Sequence, residues 1–405
     1  MIEENFGMLF SPAQLDAKMY DNAVILPHKL VDFGNTMGGG IMTESGDHIS
    51  VIDVGESRYL YEQEEVKCDE GCVVYLGMFH TVWGHCITDD LKKIWFLSTS
   101  EYNELQKNQN VRLVYTGFDG FEPTGHFNDN FKELLNKLGV DFNTLERVEE
   151  PTRFKRIYVP SDSLIYNRTK EIEPFNCSVA RFWTNEFKIV FDRLIAGTKR
   201  VEGFEKVYLS RKNWQSRDYG EKDIEDLFKK LGFKIVCPEK YSFSQQLSIF
   251  VSCKCMASTE SSITHNSIFM QDGSELIIIR KGNYVNSYQS AINDMKKMKV
   301  TYFDSHLSVF NDIEYPYAGP FFLYVNDDLQ KWAYTQTNKR QYLNSFRFER
   351  FMNYAKASFL SDMSCRRNGD LFLFEKLKEE ILNEKRHKYY KIANRFFPRL
   401  FPWKF

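Results

Sequence analysis

One stretch of this chain limits its fold more than any other. Lys206 to Arg280 reads KVYLSRKNWQSRDYGEKDIEDLFKKLGFKIVCPEKYSFSQQLSIFVSCKCMASTESSITHNSIFMQDGSELIIIR. Short apolar runs alternate there with amphipathic ones. Val207-Tyr208-Leu209 and Lys234 to Cys237 read as strands. Met256-Ala257 is a third, weaker strand, and Leu276 to Ile279 a fourth. Between the first two, Ile224, Leu227, Phe228 and Leu231 share a helical face, with Gly232 as the stop. Ser242 to Gln245 has capping-box form and opens a helix carrying Leu247, Phe250 and Val251. Strands alternating with helices predict βαβ units on a buried parallel sheet, so the fold class is α/β.

Polar residues stand where such a sheet does its chemistry. Ser210-Arg211-Lys212 follows the first strand, Pro238-Glu239 the second, and Ser258 to Ser262 the third. All lie beyond carboxyl ends, where open α/β sheets bind ligands. Arg211 and Lys212, with Arg217 close by, suit an anionic group. Small residues before a short helix from Thr264 to Met270 suggest free backbone donors for a phosphate. As single residues these are ordinary loop charges; as a set on successive strand ends they read as a nucleotide or phosphate site.

The ordered set resembles glycosyltransferase family 61, whose bacterial members include capsular polysaccharide biosynthesis proteins. The residues that carry the resemblance are Ser210-Arg211, Arg217, Gly232-Phe233, Pro238-Glu239, Gln246, Asn266 and Phe269, with Trp83-Gly-His85 and Asp89 upstream. It spans roughly residues 75–280. Three positions depart from the family pattern: Glu260-Ser261 replaces a His-Gly pair, and Lys93 replaces an Arg after the upstream Asp.

The rest of the chain fits a two-part plan. A length of 405 residues suits two domains, and 43% apolar residues suffice for their cores. A net charge of −2 argues against general nucleic-acid affinity. The eight cysteines lack zinc-type CxxC pairs, which suits a reduced, cytoplasmic setting. No run approaches 18 apolar residues. Met37-Gly-Gly-Gly-Ile41 reads as a plain turn. Val73 to Leu76, Val111 to Tyr115 and Arg156 to Pro160 read as strands, 85–97 and 131–138 as helices, and 178–198 as a long helix between the halves. The expected domains are 1–198, 199–345 and a helical tail, 346–405. Two α/β units facing across a cleft make the GT-B architecture, which the resemblance also implies.

In the helix expected at 85–97, His85, Asp89 and Lys93 fall at i, i+4 and i+8 on one face, opposite Ile87, Leu91, Ile94 and Trp95. By spacing alone this is a solvated face. By resemblance, His85 and Asp89 match the family's His-x-x-x-Asp motif and face the cleft. Glycosyl transfer needs an acceptor hydroxyl to lose its proton, and either residue, or the pair, suits that task. A His–Asp pair equally suits recognition of sugar hydroxyls.

The resemblance implies an inverting enzyme moving a sugar from a nucleotide sugar to a glycan or lipid-linked glycan in surface polysaccharide biosynthesis. Arg211, Lys212 and Arg217 would balance the diphosphate, Glu239 would bind ribose or base, and Gln246, Ser261, Ser262 and Asn266 would line the donor site. No Asp-x-Asp strand end is present, and no metal is expected to be required. The tail, KYYKIANRFFPRLFPWKF, mixes cations with aromatics over 388–405. It suits an interfacial membrane anchor at the inner face, or packing on another subunit or on the N-terminal domain. The competing classes are a different nucleotide-dependent transferase and a non-catalytic glycan-binding scaffold.

Overall fold

The computed structural model describes residues 9–12, 14–30, 37–49, 65–117, 129–168, 179–211, 218–282, 286–306 and 321–337. Lys212, Arg217 and the tail at 346–405 lie outside the described residues.

The first half is built on a mixed sheet. Its main strands are β1 (Val24–Leu30), β2 (Met37–Met42), β3 (Lys67–Phe79), β4 (Val111–Gly117) and β5 (Thr152–Pro160), ordered β2-β1-β5-β3-β4. Both neighbours of β3 run parallel to it. The chain leaves β3 for β4 on one side and returns on the other as β5. The carboxyl end of β3 is therefore a point where the strand order reverses. The glycine run at 38–40 is not the expected turn but lies within β2. Gly39 has φ +142°, and a Cβ there would lie 2.8 Å from the His28 ring, so glycine lets the strand pass that buried side chain.

The second half holds five parallel strands: β6 (Lys206–Leu209), β7 (Lys234–Val236), β8 (Cys255–Thr259), β9 (Glu275–Ile279) and β10 (Lys299–Phe303). Their order is β7-β6-β8-β9-β10. The reversal falls between β6 and β8, where Leu209 pairs with Ser258. The weak Met256-Ala257 run is the central strand β8, buried throughout.

Two helices differ from expectation. The segment 85–97 is not one helix. α1 (Trp83–Ile87) ends early, and a 3₁₀ turn follows at Ile94–Ser98. The side chains between them serve other partners: Thr88 Oγ1 donates to Gly84 O, and Asp90 accepts from the His80 backbone and ring. Lys92 and Lys93 are buried too, so from Asp90 to Phe96 the stretch is enclosed on every side rather than amphipathic. The long helix expected at 178–198 begins only at Asn185, as α2 (Asn185–Ile195). Val179–Trp183 before it, a β-branched and aromatic run, pairs antiparallel with Leu164–Arg168.

α2 ties the halves together. Its Phe187, Val190, Phe191 and Leu194 are buried in one core that runs from Phe79 and Phe131 to Ile278 and Met295. Phe191 packs edge-on against Phe269 at 5.7 Å, and Phe269 against Phe243 at 5.6 Å. Between β6 and β7, α3 (Glu221–Lys230) buries Ile224, Leu227 and Phe228. α4 (Phe243–Ser252) opens with the capping box of Ser242 and Gln245. Glu133 of the first half also accepts from the Phe243 and Ser244 backbone N–H groups, at 3.0 and 3.1 Å. A carboxylate there complements the positive end of the helix.

Candidate functional site

The carboxyl ends of the two sheets meet at α1. Gly84 lies against the loop beyond β8, so that an added Cβ would stand 2.6 Å from Ser262 Cβ. Trp83 Nε1 donates to Asn266 Oδ1 at 2.9 Å. From α5 (Ser287–Met295), Tyr288 Oη donates to Asp89 Oδ1 at 2.7 Å.

His85 and Asp89 are brought together although the helix ends between them. Nδ1 of His85 lies 2.6 Å from Asp89 Oδ2, and the Thr88 hydroxyl, shared with Gly84 O, lies 3.1 Å from the same oxygen. The His85 side chain is 49% exposed and that of Asp89 13%. Burial disfavours charge on His85, but the Asp89 hydrogen bond and charge outweigh it and hold the imidazole pKa above its ordinary value. Burial likewise pushes Asp89 up, yet His85 outweighs it and holds the carboxyl well below the usual range. Asp89 is thus a fixed anion with both oxygens engaged. With Asp89 accepting at Nδ1, the basic nitrogen of neutral His85 is Nε2.

A second pair stands beside the first. His80 Nδ1 lies 2.6 Å from Asp90 Oδ1, and the His80 ring stacks on His85 with centroids 4.6 Å apart. Lys93, expected on the His85 face, is turned away: its Nζ donates to Pro160 O at 2.7 Å and to Asp162.

Beyond β6, Arg211 is half-buried and pairs with Asp218 at 3.1 Å. Lys281, just past β9, bonds the same carboxylate at 3.1 Å and is itself buried. Burial lowers the Lys281 pKa despite Asp218. The two cations share this one carboxylate. Glu221 and Glu260 flank them. Burial, then Asp218, pushes Glu221 up to about 7. Burial pushes Glu260 to about 7 against the pull of Arg280.

The other expected donor residues have mixed fates. Glu239 is exposed on a short 3₁₀ turn, Pro238–Lys240. Gln246 is buried, and its amide donates to Pro238 O and Tyr241 O and fixes that turn. Ser261 and Ser262 are half-buried at the junction. Asn266 is buried and engaged on both sides, with Trp83 and with Ile263 O. The donors expected free on the short helix are also engaged: Thr264 N and His265 N close turns onto Ser261 O and Ser262 O. Sequence reading missed Tyr288, Lys281 and Glu221. Lys281 alone had a signal, as the residue two past a strongly apolar strand. Among the described residues, no group of three His, Cys, Asp or Glu is arranged to hold a metal ion.

The Glycosyltransferase 61 family model matches residues 83–277, from the first residue of α1 into β9 and just under half of the chain. By that match the chain is a glycosyltransferase. No curated protein matches it. Among solved structures it is similar to the dodecameric iron-containing heptosyltransferase TibC in complex with ADP-D-beta-D-heptose. That likeness has 12% identity over 71% of this chain and 81% of the other, with a TM-score of 0.24. TibC from enterotoxigenic E. coli H10407 shows 9% identity over 69% and 81%, with a TM-score of 0.22.

Proposed function

We propose that the chain is an inverting glycosyltransferase of GT-B architecture. It transfers a sugar from a nucleoside-diphosphate sugar to a glycan or glycolipid acceptor in surface polysaccharide biosynthesis, of the capsular type. The observation that carries this reading is the His85–Asp89 pair at the junction of two sheet ends, inside the family match.

The geometry supports the following chemistry. The acceptor hydroxyl hydrogen-bonds to His85 Nε2 and loses its proton there as its oxygen attacks the anomeric carbon. Asp89 holds the imidazole by Nδ1 and stabilises the imidazolium that forms. Attack opposite the leaving diphosphate inverts the anomeric centre. Arg211 and Lys281, with Lys212 and Arg217, balance the charge that grows on the diphosphate. The reaction then needs no metal ion. Ser261 and Ser262 line the donor crevice and Glu239 reads the ribose or base.

The acceptor reading extends to location. No helix among the described residues is long and apolar enough to cross a membrane. The basic, aromatic segment 388–405 would hold the enzyme at the inner membrane face, near lipid-linked acceptors.

The test is ligand-dependent melting against UDP-, GDP-, CMP- and dTDP-sugars. A donor at 100 times its dissociation constant adds about 2.7 kcal/mol of stability. A shift with one nucleotide class, lost in Arg211→Ala and unaffected by a chelator, is the expected result. No shift with any of them, from folded protein, would sink the reading.

A further inference from the structure

Asp89 lies two residues past the end of α1, so the helix does not orient it. Thr88, the helix C-cap, has φ −115° and ψ −74°. Asp89 is aimed instead by its contacts: Thr88 and His85 on Oδ2, and Tyr288 on Oδ1. Of these three only Tyr288 comes from the second half.

Tyr288 itself stands on a firmly held element. Asn286 caps α5 by accepting from Gln289 N, and Ala291, Ile292 and Met295 are buried in the common core. Gln289, next to Tyr288, receives His265 Nδ1 at 2.9 Å and donates to Ser267 Oγ and Asn293 Oδ1 at 3.0 and 2.8 Å. The phenol is thus fixed by the second half and presented to a carboxylate of the first.

We propose that Tyr288 is a positioning residue for sugar transfer, clamping Asp89 Oδ1 so that Oδ2 meets His85 Nδ1 and setting the basicity of His85 through that carboxylate. The base is complete only when both halves contribute. This inference rests on His85 being the base. A hydroxyl donating to Asp89 withdraws charge from it, so Asp89 stabilises the imidazolium less than it otherwise would.

The experiment is an NMR titration of the His85 ring in the full chain, which needs no substrate. Tyr288→Phe removes the donor, and the His85 pKa moves: down as Asp89 swings off Nδ1, or up where Asp89 stays in place with its full charge. Replacing Tyr288 by 3-fluorotyrosine keeps the packing and makes the hydroxyl a stronger donor, and the pKa falls. In an Asp89→Asn background neither change moves it. Turnover of whichever nucleotide sugar gives the melting shift falls about tenfold in Tyr288→Phe, with the melting shift itself retained. An unmoved His85 titration in both Tyr288 variants overturns the proposal, and lowered stability with an unmoved titration marks a purely structural tie. The fluorinated variant decides the matter if Tyr288→Phe does not fold. Turnover retained in His85→Gln would instead overturn the reading of His85 as the base, whatever the titration shows.

Discussion

Trp83 and Asn266, 183 positions apart, share a hydrogen bond in which the indole Nε1 donates to the amide oxygen at 2.9 Å. It closes the junction of the halves beside His85. Asn266 is 1% exposed, so removing the indole donor strands a buried acceptor. Trp83→Phe should cost about 1–3 kcal/mol. Asn266→Ala should cost a similar amount, and the double variant less than the two together. A denaturant-unfolding cycle checks this, and strict additivity would refute the coupling.

The pH profile follows from the His85–Asp89 pair. On the proposed reading the transfer needs neutral His85, whose pKa is held above its ordinary value by Asp89. kcat/KM should therefore fall as the pH drops through a value above 6.5. Asp89→Asn removes the carboxylate but leaves the burial, so the acidic limb should move to lower pH while the plateau drops. His85→Gln should lower kcat by about 10²–10⁴ and abolish the limb. A limb that survives in His85→Gln would assign it to another group.

The sequence made the second half readable because each of its strands is short, apolar and bounded by polar loops. Even the weak Met256-Ala257 run was legible by its place between helices. The site was half readable. His85 and Asp89 sit at a spacing that works in a helix and also across the helix end that occurs. Lys93 shares that spacing but not that face, because burial of Lys92 and Lys93 against Asp162 turns the chain. Tyr288 was unreadable: its partner lies 199 positions away, and nothing in a helix of ordinary composition marks one tyrosine as a clamp. Gln246 and Asn266, expected in the donor site, are buried and bonded within the chain. A local sequence does not reveal that a buried amide will be saturated by Pro238 and Tyr241 or by Trp83.

Gly84 sets how closely the halves approach. A methyl group there would lie 2.6 Å from Ser262 Cβ, which is too near the backbone to swing aside. Gly84→Ala should cost about 1–3 kcal/mol by overpacking. It should also separate α1 from the loop beyond β8, lowering turnover more than donor affinity. Ser262→Gly in the same chain should restore part of both losses. Circular dichroism melting and kinetics check this, and wild-type turnover in Gly84→Ala would mean the halves need not touch here.

Glu260 gives the stability of the chain a pH dependence. The residue is 4% exposed, and its Oε2 lacks a hydrogen-bond partner. Burial raises its pKa from 4.5 to about 7 against the charges of Arg280 and Lys281. A folded-state pKa above the unfolded one gives stability that is complete below pH 4.5 and lost as the pH rises through 7. Glu221 adds a loss of the same sign, since burial and Asp218 raise it to about 7 as well. These two carboxyls therefore remove stability between pH 5 and pH 8, while the buried His28 and His265, lowered to about 3 and about 4, add stability as the pH rises to 6.5. Each carboxyl contributes on the order of 3 kcal/mol at full ionisation. Glu260→Gln should raise the melting temperature at pH 8 relative to pH 5 compared with wild type, and Glu221→Gln with Glu260→Gln should raise it further, leaving the double variant more stable than wild type at pH 8. A slope unchanged in both variants would show that neither carboxyl is neutral in the folded chain.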